Sequence, residues 1–300
     1  MYLDHFGLRE FPFGLTPNTQ FFCALPTHQE ALNVLMIALH SGEGFIKITG
    51  EVGTGKTMLC RKLLNELGSD FVTAYIPNPA MPQHELLSTV AEEMGLPYEQ
   101  VVNTGHVLKA INQHLLNVAA QGKRLVLVLD EAQAIPPDSL ELLRLLTNLE
   151  TESRKLLQIV LFGQPELDVL LDKPNLRQLR QRITFSYRLG MLNFRETQSY
   201  LFKRLQVAGY SERDLLTGMA YRLLHSYSRG TPRLINILAN KAMLVAFGKG
   251  ARRVNGFHIR AAAKDTEGVS SLRWPRWLLA LPMAGGLVWM ALRHSGGLLP

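Results

Sequence analysis

Residues 45–57 read Phe45-Ile46-Lys47-Ile48-Thr49-Gly50-Glu51-Val52-Gly53-Thr54-Gly55-Lys56-Thr57. A short apolar strand runs straight into the pattern G-x-x-x-x-G-K-T, and Met58 to Leu67, ending at Gly68, is a good helix. Strand, glycine-rich loop and helix in that order make a phosphate cradle. Gly50, Gly53 and Gly55, with Glu51, Val52, Thr54 and Met58 between and beside them, let backbone N–H groups wrap phosphate oxygens. Lys56 then reaches the β- and γ-phosphates and Thr57 can ligate Mg²⁺. A bare glycine turn is the bland alternative, and the flanking strand and helix argue against it.

The cradle needs a carboxylate on the metal side. Arg124 to Leu129 (RLVLVL) is a continuous β-favouring run of the kind buried on both faces of a parallel sheet, and it ends in Asp130-Glu131. Asp130 is the candidate for holding the Mg²⁺ through its water, and Glu131 for orienting and activating the attacking water. Phe71 to Ile76, Leu156 to Phe162 and, more weakly, Ile183 to Leu189 read as further strands. Helical stretches Gln83 to Met94, Gly105 to Gln121 and Ser139 to Glu150 lie between them. Such alternation predicts an α/β fold with a parallel five-stranded sheet sandwiched by helices, and nucleotide at the carboxyl ends of the strands.

Polar residues at those ends are candidates for sensing hydrolysis. Gln164 follows the strand 156–162 directly and is either an ordinary loop residue or an amide that positions water or touches the γ-phosphate. Arg177, Arg180 and Arg182 in LRQLRQR are either a solvated basic face or a source of an arginine finger for a neighbouring subunit. From Asn193 the pattern turns helical (Phe194 to Ala208, Glu212 to Tyr227, Pro232 to Phe247), which predicts a small all-helical lid. In Ser228-Arg229-Gly230-Thr231-Pro232-Arg233, Thr231 suits an N-cap and Pro232 the first helical position. Arg233 then falls in the first turn, able to reach back to bound phosphates. At the other end, Thr27 and Glu30 have the spacing of a capping box, and the phenylalanine-rich stretch from Phe6 to Phe22 reads as an N-terminal arm packed near the adenine side.

The net charge of +7 hides a division. Residues 1–172 hold 11 basic and 20 acidic side chains, a net of −9, and residues 173–300 hold 21 and 5, a net of +16. The basic half needs an anionic partner: phosphate, nucleic acid or a membrane surface. With 47% hydrophobic and 19% charged residues the chain can bury a core. Cys23 and Cys60 are too few for a disulfide framework or a zinc cluster, which suits a reducing compartment. The histidines show no metal-ligand spacing, and neither a nucleophile elbow nor a catalytic triad is evident.

The start of the sequence lacks a basic region followed by an apolar one, so a secretory signal is not expected. Trp277 to Leu292 (WLLALPMAGGLVWMAL) is uncharged and lies between Arg276 and Arg293. As a helix it would cover roughly 24 Å against about 30 Å of hydrocarbon, a short span that flanking tryptophans and arginines can anchor. The alternatives are an in-plane or a buried helix. Basic residues before it (Arg260, Lys264, Arg273, Arg276) predict that the preceding domains face the cytoplasm.

HFGLREFPFGLTPNTQFF, HQEAL, GEGFIKITGEVGTGKT, LVLVLDEAQ, IVLFGQPEL, LRQRI and GTPRLIN, spread over residues 1 to 265, together resemble the AAA+ ATPases of the general secretion pathway protein A family. The resemblance implies an arm at 1–26, an ATPase core at 27–190, a lid at 191–265, a linker at 266–276, a transmembrane helix at 277–293 and a tail at 294–300. It implies Gln164 as sensor 1, Arg233 as sensor 2 and Arg180 or Arg182 as the arginine finger of a homo-oligomer. ATP and Mg²⁺ are the implied cofactors; pilus or secretion assembly proteins and anionic inner-membrane lipids are the implied partners. A peptidoglycan-binding region beyond the hydrophobic segment is not expected, a layout similar to the branch that serves mannose-sensitive haemagglutinin (type IV) pilus biogenesis. Two function classes therefore stand side by side: a membrane-anchored assembly ATPase and, ranked second, a DNA-engaged ATPase of the transposition or replication-initiation type.

Overall fold

The computed structural model describes residues 2–97, 104–148, 155–210, 212, 214–267 and 269. Helix α1 (Tyr2–Phe6) and a loop lead to α2 (Pro26–His40); then come β1 (Phe45–Gly50), α3 (Lys56–Glu66), β2 (Phe71–Ile76), α4 (Gln83–Glu93) and α5 (Thr104–Ala120). The chain continues through β3 (Arg124–Leu129), α6 (Pro137–Leu146), β4 (Leu157–Gly163), α7 (Glu166–Leu171), α8 (Arg177–Arg182) and β5 (Ile183–Leu189). Four further helices follow: α9 (Phe194–Val207), α10 (Gly218–Ser228), α11 (Pro232–Gly248) and α12 (Gly256–Lys264).

The sheet has the order β2-β3-β4-β1-β5, with every pair parallel. Burial explains the sequence patterns. β4 is buried throughout and β3 from its second residue, hence their apolar runs, interrupted in β4 only by Gln158, which donates to the Leu39 and Glu43 carbonyls, whereas β5 at the edge alternates and reads weakly. One face carries Leu125, Leu127, Leu129, Ile159 and Leu161 against α4, α5 and α6; the other carries Ile46, Ile48, Val126, Val128 and Phe162 against α2 and α3. With β1 between β4 and β5, its carboxyl end is flanked by theirs, and β3 lies one strand further on, beyond β4. That places the glycine-rich loop, Asp130 and Gln164 on one rim of the sheet.

The arm is integral to the helical region. Tyr2, Phe6, Leu8, Phe13, Phe21, Cys23 and Leu25 share a core with Leu201, Leu205, Leu238, Ala242 and Ile259 of α9, α11 and α12. Arg204 fastens it: the guanidinium donates to the Pro12 and Gly14 carbonyls at 2.5 and 3.2 Å and to Tyr200 Oη at 3.0 Å. It also lies 4.8 Å from the Phe21 ring centroid.

Three local expectations need correction. Thr27 and Glu30 form no capping box, because Pro26 opens α2 with Leu25 as a cap that makes no side-chain bond. Thr27 instead contacts His28 Nδ1 at 3.4 Å and Glu30 accepts from Tyr187 Oη at 2.9 Å. The helix expected from Glu212 begins only at Gly218, after Leu216 pairs with Val254 and Thr217 caps the Ala220 N–H. A fourth lid helix, α12, was not anticipated; it starts at Asn255, which forms a capping box with His258. Among the described residues no helix is long and apolar enough to cross a membrane, and Trp277 to Leu292 lies outside them.

Candidate nucleotide site

The loop between β1 and α3 has the local geometry its glycines permit. Gly53 and Gly55 adopt φ values of +80° and +102°, in the left-handed region that side chains avoid. A Cβ on Gly53 would stand 2.7 Å from Arg233 Cβ, so the glycine also lets the lid approach. The contact is bonded: the Arg233 N–H donates to the Gly53 carbonyl at 3.2 Å. Arg229 and Gly230 both have positive φ, and a Cβ on Gly230 would lie 2.0 Å from the Leu192 carbonyl oxygen. The GTPR turn thus brings the first turn of α11 onto the phosphate loop, with Thr231 as its cap and Pro232 next, as the sequence suggests. The Thr231 side chain makes no capping bond.

Lys56 is buried, and its ammonium donates to the Gly50 and Glu51 carbonyls at 2.7 and 3.1 Å. Burial pushes its pKa down, against the pull of Glu131, Asp130, Glu51 and Glu166. A buried cation with only neutral acceptors in contact is suited to an incoming anion. Thr57 Oγ1 donates to Asp130 Oδ2 at 2.7 Å, and Asp130 Oδ1 accepts the Glu131 N–H at 2.9 Å. Burial raises the Asp130 pKa, while those two hydrogen bonds favour its charged form. A hydroxyl and a carboxylate in contact at the mouth of the phosphate loop are hard oxygen donors, the set that fits Mg²⁺ beside phosphates.

Glu131 has φ +53°, uncommon for a residue with a side chain. Its Oε2 accepts from Gln164 Nε2 at 3.0 Å and from Gln133 Nε2 at 2.6 Å, and Gln133 Oε1 accepts the Gln164 N–H at 2.9 Å. Val52 to Met58, Glu131, Gln164 and Arg233 line a cleft of roughly 360 Å³. Its remaining walls are Gly14 to Pro17, Phe21, Phe22, Cys23 and Leu25 of the arm, His28 of α2, and Tyr200, Arg204, Pro232 and Asn236 of the lid. The arm therefore reaches the cleft, where its aromatic and backbone groups can receive a flat base.

Arg180 and Arg182 are not brought to this cleft. Arg180 is exposed and pairs with Asp172 at 2.6 Å; Arg182 reaches Thr147 Oγ1 at 3.2 Å and the Arg144 carbonyl at 3.4 Å. Sequence reasoning gave no role to Gln133, His28, Tyr200 or Arg204. Gln133 and His28 stand inside the quoted segments DEAQ and HQEAL, so attention to those segments would have found them. Arg204 is one arginine among many on an amphipathic helix, and nothing in the pattern marks it. Buried His28 donates from Nε2 to the Thr54 carbonyl at 3.0 Å, which supports the phosphate loop from behind.

Sheet order, phosphate loop, paired acids and lid define a P-loop protein of the AAA+ class. In agreement, the AAA domain family matches residues 39–171. The chain is 42% identical over 288 residues, 96% of its length, to General secretion pathway protein A of Aeromonas hydrophila. It spans about half (52%) of that relative. The chain thus carries an AAA domain and is similar along nearly all of its length to General secretion pathway protein A. Solved structures share the fold at low identity. Pyrobaculum aerophilum Cdc6p superimposes with a TM-score of 0.65 at 20% identity, over 86% of this chain and 72% of that one. For the Drosophila ORC bound to DNA the values are 0.62 and 17%, over 88% and 65%. Thermotoga maritima RuvB, a Holliday junction branch migration motor, gives 0.56 and 19%, over 85% and 73%.

Proposed function

We propose that the protein binds ATP with Mg²⁺ in the cleft between core and lid and hydrolyses it. We assign the cycle to assembly of a type IV, MSHA-like pilus or a type II secretion apparatus at the bacterial inner membrane. The observation that carries the reading is the convergence of Lys56, Thr57, Asp130, Glu131 and Gln164 on one rim of the sheet, under Arg233. The loop N–H groups from Gly50 to Met58 bind the phosphates and Lys56 leaves its carbonyl partners to meet them. Thr57 and Asp130 would hold the ion, which would supply neutralisation of developing phosphate charge. Glu131 orients the attacking water and takes its proton, Gln164 contacts the γ-phosphate, and Arg233 closes the lid. Arg180 or Arg182 of a neighbouring copy completes the site in a homo-oligomer. Both lie away from the cleft of their own chain, Arg180 exposed and Arg182 half-buried against Thr147, and the exposed Arg180 suits action in trans.

The similarity to General secretion pathway protein A supports a role in secretion or pilus assembly, and the uncharged segment Trp277 to Leu292 supports an inner-membrane anchor beside anionic lipids. A second reading, a DNA-engaged ATPase, draws on structural neighbours that include a Drosophila ORC bound to DNA and a Holliday junction branch migration motor, and on the net +16 of residues 173–300. Turnover measured with and without duplex DNA, together with membrane fractionation, separates the two. The assembly reading expects recovery with membranes and turnover indifferent to DNA. DNA-stimulated turnover with a steep salt dependence would favour the second.

A further inference from the structure

Gln133 sits where two strand ends are joined through one side chain. After Glu131, at φ +53°, the chain makes a single 3-10 turn, Ala132–Ala134, closed by the Ala134 N–H on the Glu131 carbonyl at 2.9 Å. This turn points the Gln133 side chain across the end of β4, close enough that a Cβ on Gly163 would come 3.4 Å from its Oε1. Both ends of the amide are used. Oε1 accepts the backbone N–H of Gln164, which can only donate, so Nε2 is the end facing Glu131, which as a carboxylate accepts. The side-chain Nε2 of Gln164 reaches the same Glu131 oxygen. Glu131, Gln133 and Gln164 thus form a closed ring of three hydrogen bonds at 2.6, 2.9 and 3.0 Å.

The ring treats the two oxygens of Glu131 differently. Oε2 takes two amide donors, while Oε1 receives none among the described residues. A carboxylate held by one oxygen presents the other in a fixed direction. We propose that Gln133 is a positioning residue for the hydrolysis reaction: it fixes Glu131 Oε1 as the oxygen that meets the water, and ties that direction to the loop bearing Gln164. When Gln164 turns its side chain toward a phosphate, Gln133 keeps Glu131 in place, and any shift of the Gln164 backbone moves the carboxylate with it. The proposal rests on the assignment of Glu131 as the base.

The test uses the full chain with Gln133→Met, which keeps length but donates nothing, alongside Gln164→Met, the double variant and Glu131→Gln. Gln133→Met is expected to lower kcat by about 10- to 100-fold, the usual effect of losing a hydrogen bond to a charged group. Binding of a fluorescent ATP analogue, and KM, should stay within about twofold, a division that mere loosening of the fold would not give. The double variant should fall by less than the product of the single effects, since Gln133 also holds the Gln164 backbone. Wild-type turnover in Gln133→Met with an inactive Glu131→Gln would overturn the proposal and leave the assignment of the base standing. Wild-type turnover in Glu131→Gln would remove the base assignment itself.

Discussion

Arg204 offers the sharpest test of how the arm is held over the cleft. It is buried, with 5% of its surface exposed, and its guanidinium makes three hydrogen bonds, two of them to arm carbonyls. Its planar face also lies 4.8 and 5.6 Å from the Phe21 and Tyr200 rings. Arg204→Ala removes the cation and leaves the Pro12 and Gly14 carbonyls without their donor, each orphaned acceptor costing about 1–3 kcal/mol. Lost cation–π contacts add about 0.5–2 kcal/mol. Because the contributions share one side chain and are not additive, the total should be about 3–5 kcal/mol, or on the order of 10 °C in Tm for a chain of this size. Arg204→Lys should recover only part, since an ammonium cannot serve Pro12, Gly14 and Tyr200 in a planar fork. Urea unfolding gives the energy; amide exchange at Phe13, Gly14 and Leu15 shows whether the arm has been released. A loss below about 1 kcal/mol with unchanged arm exchange would refute the latch.

Other outcomes follow from single contacts. Gly53→Ala must place a methyl 2.7 Å from Arg233 Cβ at φ +80°, so it should push α11 off the phosphate loop; isothermal titration should show nucleotide affinity falling while Tm drops by only a few degrees, as a strain of about 1–2 kcal/mol allows. Arg233→Ala should cost roughly 10- to 100-fold in kcat/KM for ATP, the value of one or two charge-assisted contacts, without changing apo stability, because the exposed guanidinium makes no bond to the described residues. His28 titrates below its ordinary range, chiefly because of burial. The unfolded chain protonates near about 6.5 and the folded chain only below that, so the unfolded state binds more protons in that interval and stability falls as pH drops through it. His28→Asn removes this component, and the stability gap between wild type and variant, read from urea melts, should narrow on acidification; a gap independent of pH would contradict it.

How much of this was legible in the sequence depends on whether a feature is local. The phosphate loop carries its structure in its own residues, since positive φ at Gly53 and Gly55 and a strand before them need nothing from elsewhere. β3 and β4 were readable because burial on both faces leaves almost only apolar residues, Gln158 being the exception inside β4, and Asp130 and Glu131 because a polar pair directly ends such a run. β5 was faint because an edge strand keeps one wet face. The start of α10 was misplaced because the polar stretch before it is helix-compatible, and only the Leu216–Val254 pairing, 38 residues apart, removes it from the helix. Pro26 overrode the Thr27–Glu30 spacing for a local reason that could have been weighed, since proline favours the first helical position. The Arg204 latch and the Gln133 bridge depend on tertiary neighbours, 190 residues away for Gly14 and 31 for Gln164, which no periodicity announces.

The central claim is that Glu131 activates water in an ATP site formed by the phosphate loop, Asp130 and the lid. It is tested most directly by measuring steady-state phosphate release and equilibrium ATP binding side by side for the wild type and Glu131→Gln. The account predicts that the variant binds ATP as tightly as the wild type and loses turnover by at least about a hundredfold. Turnover equal to that of the wild type would contradict it.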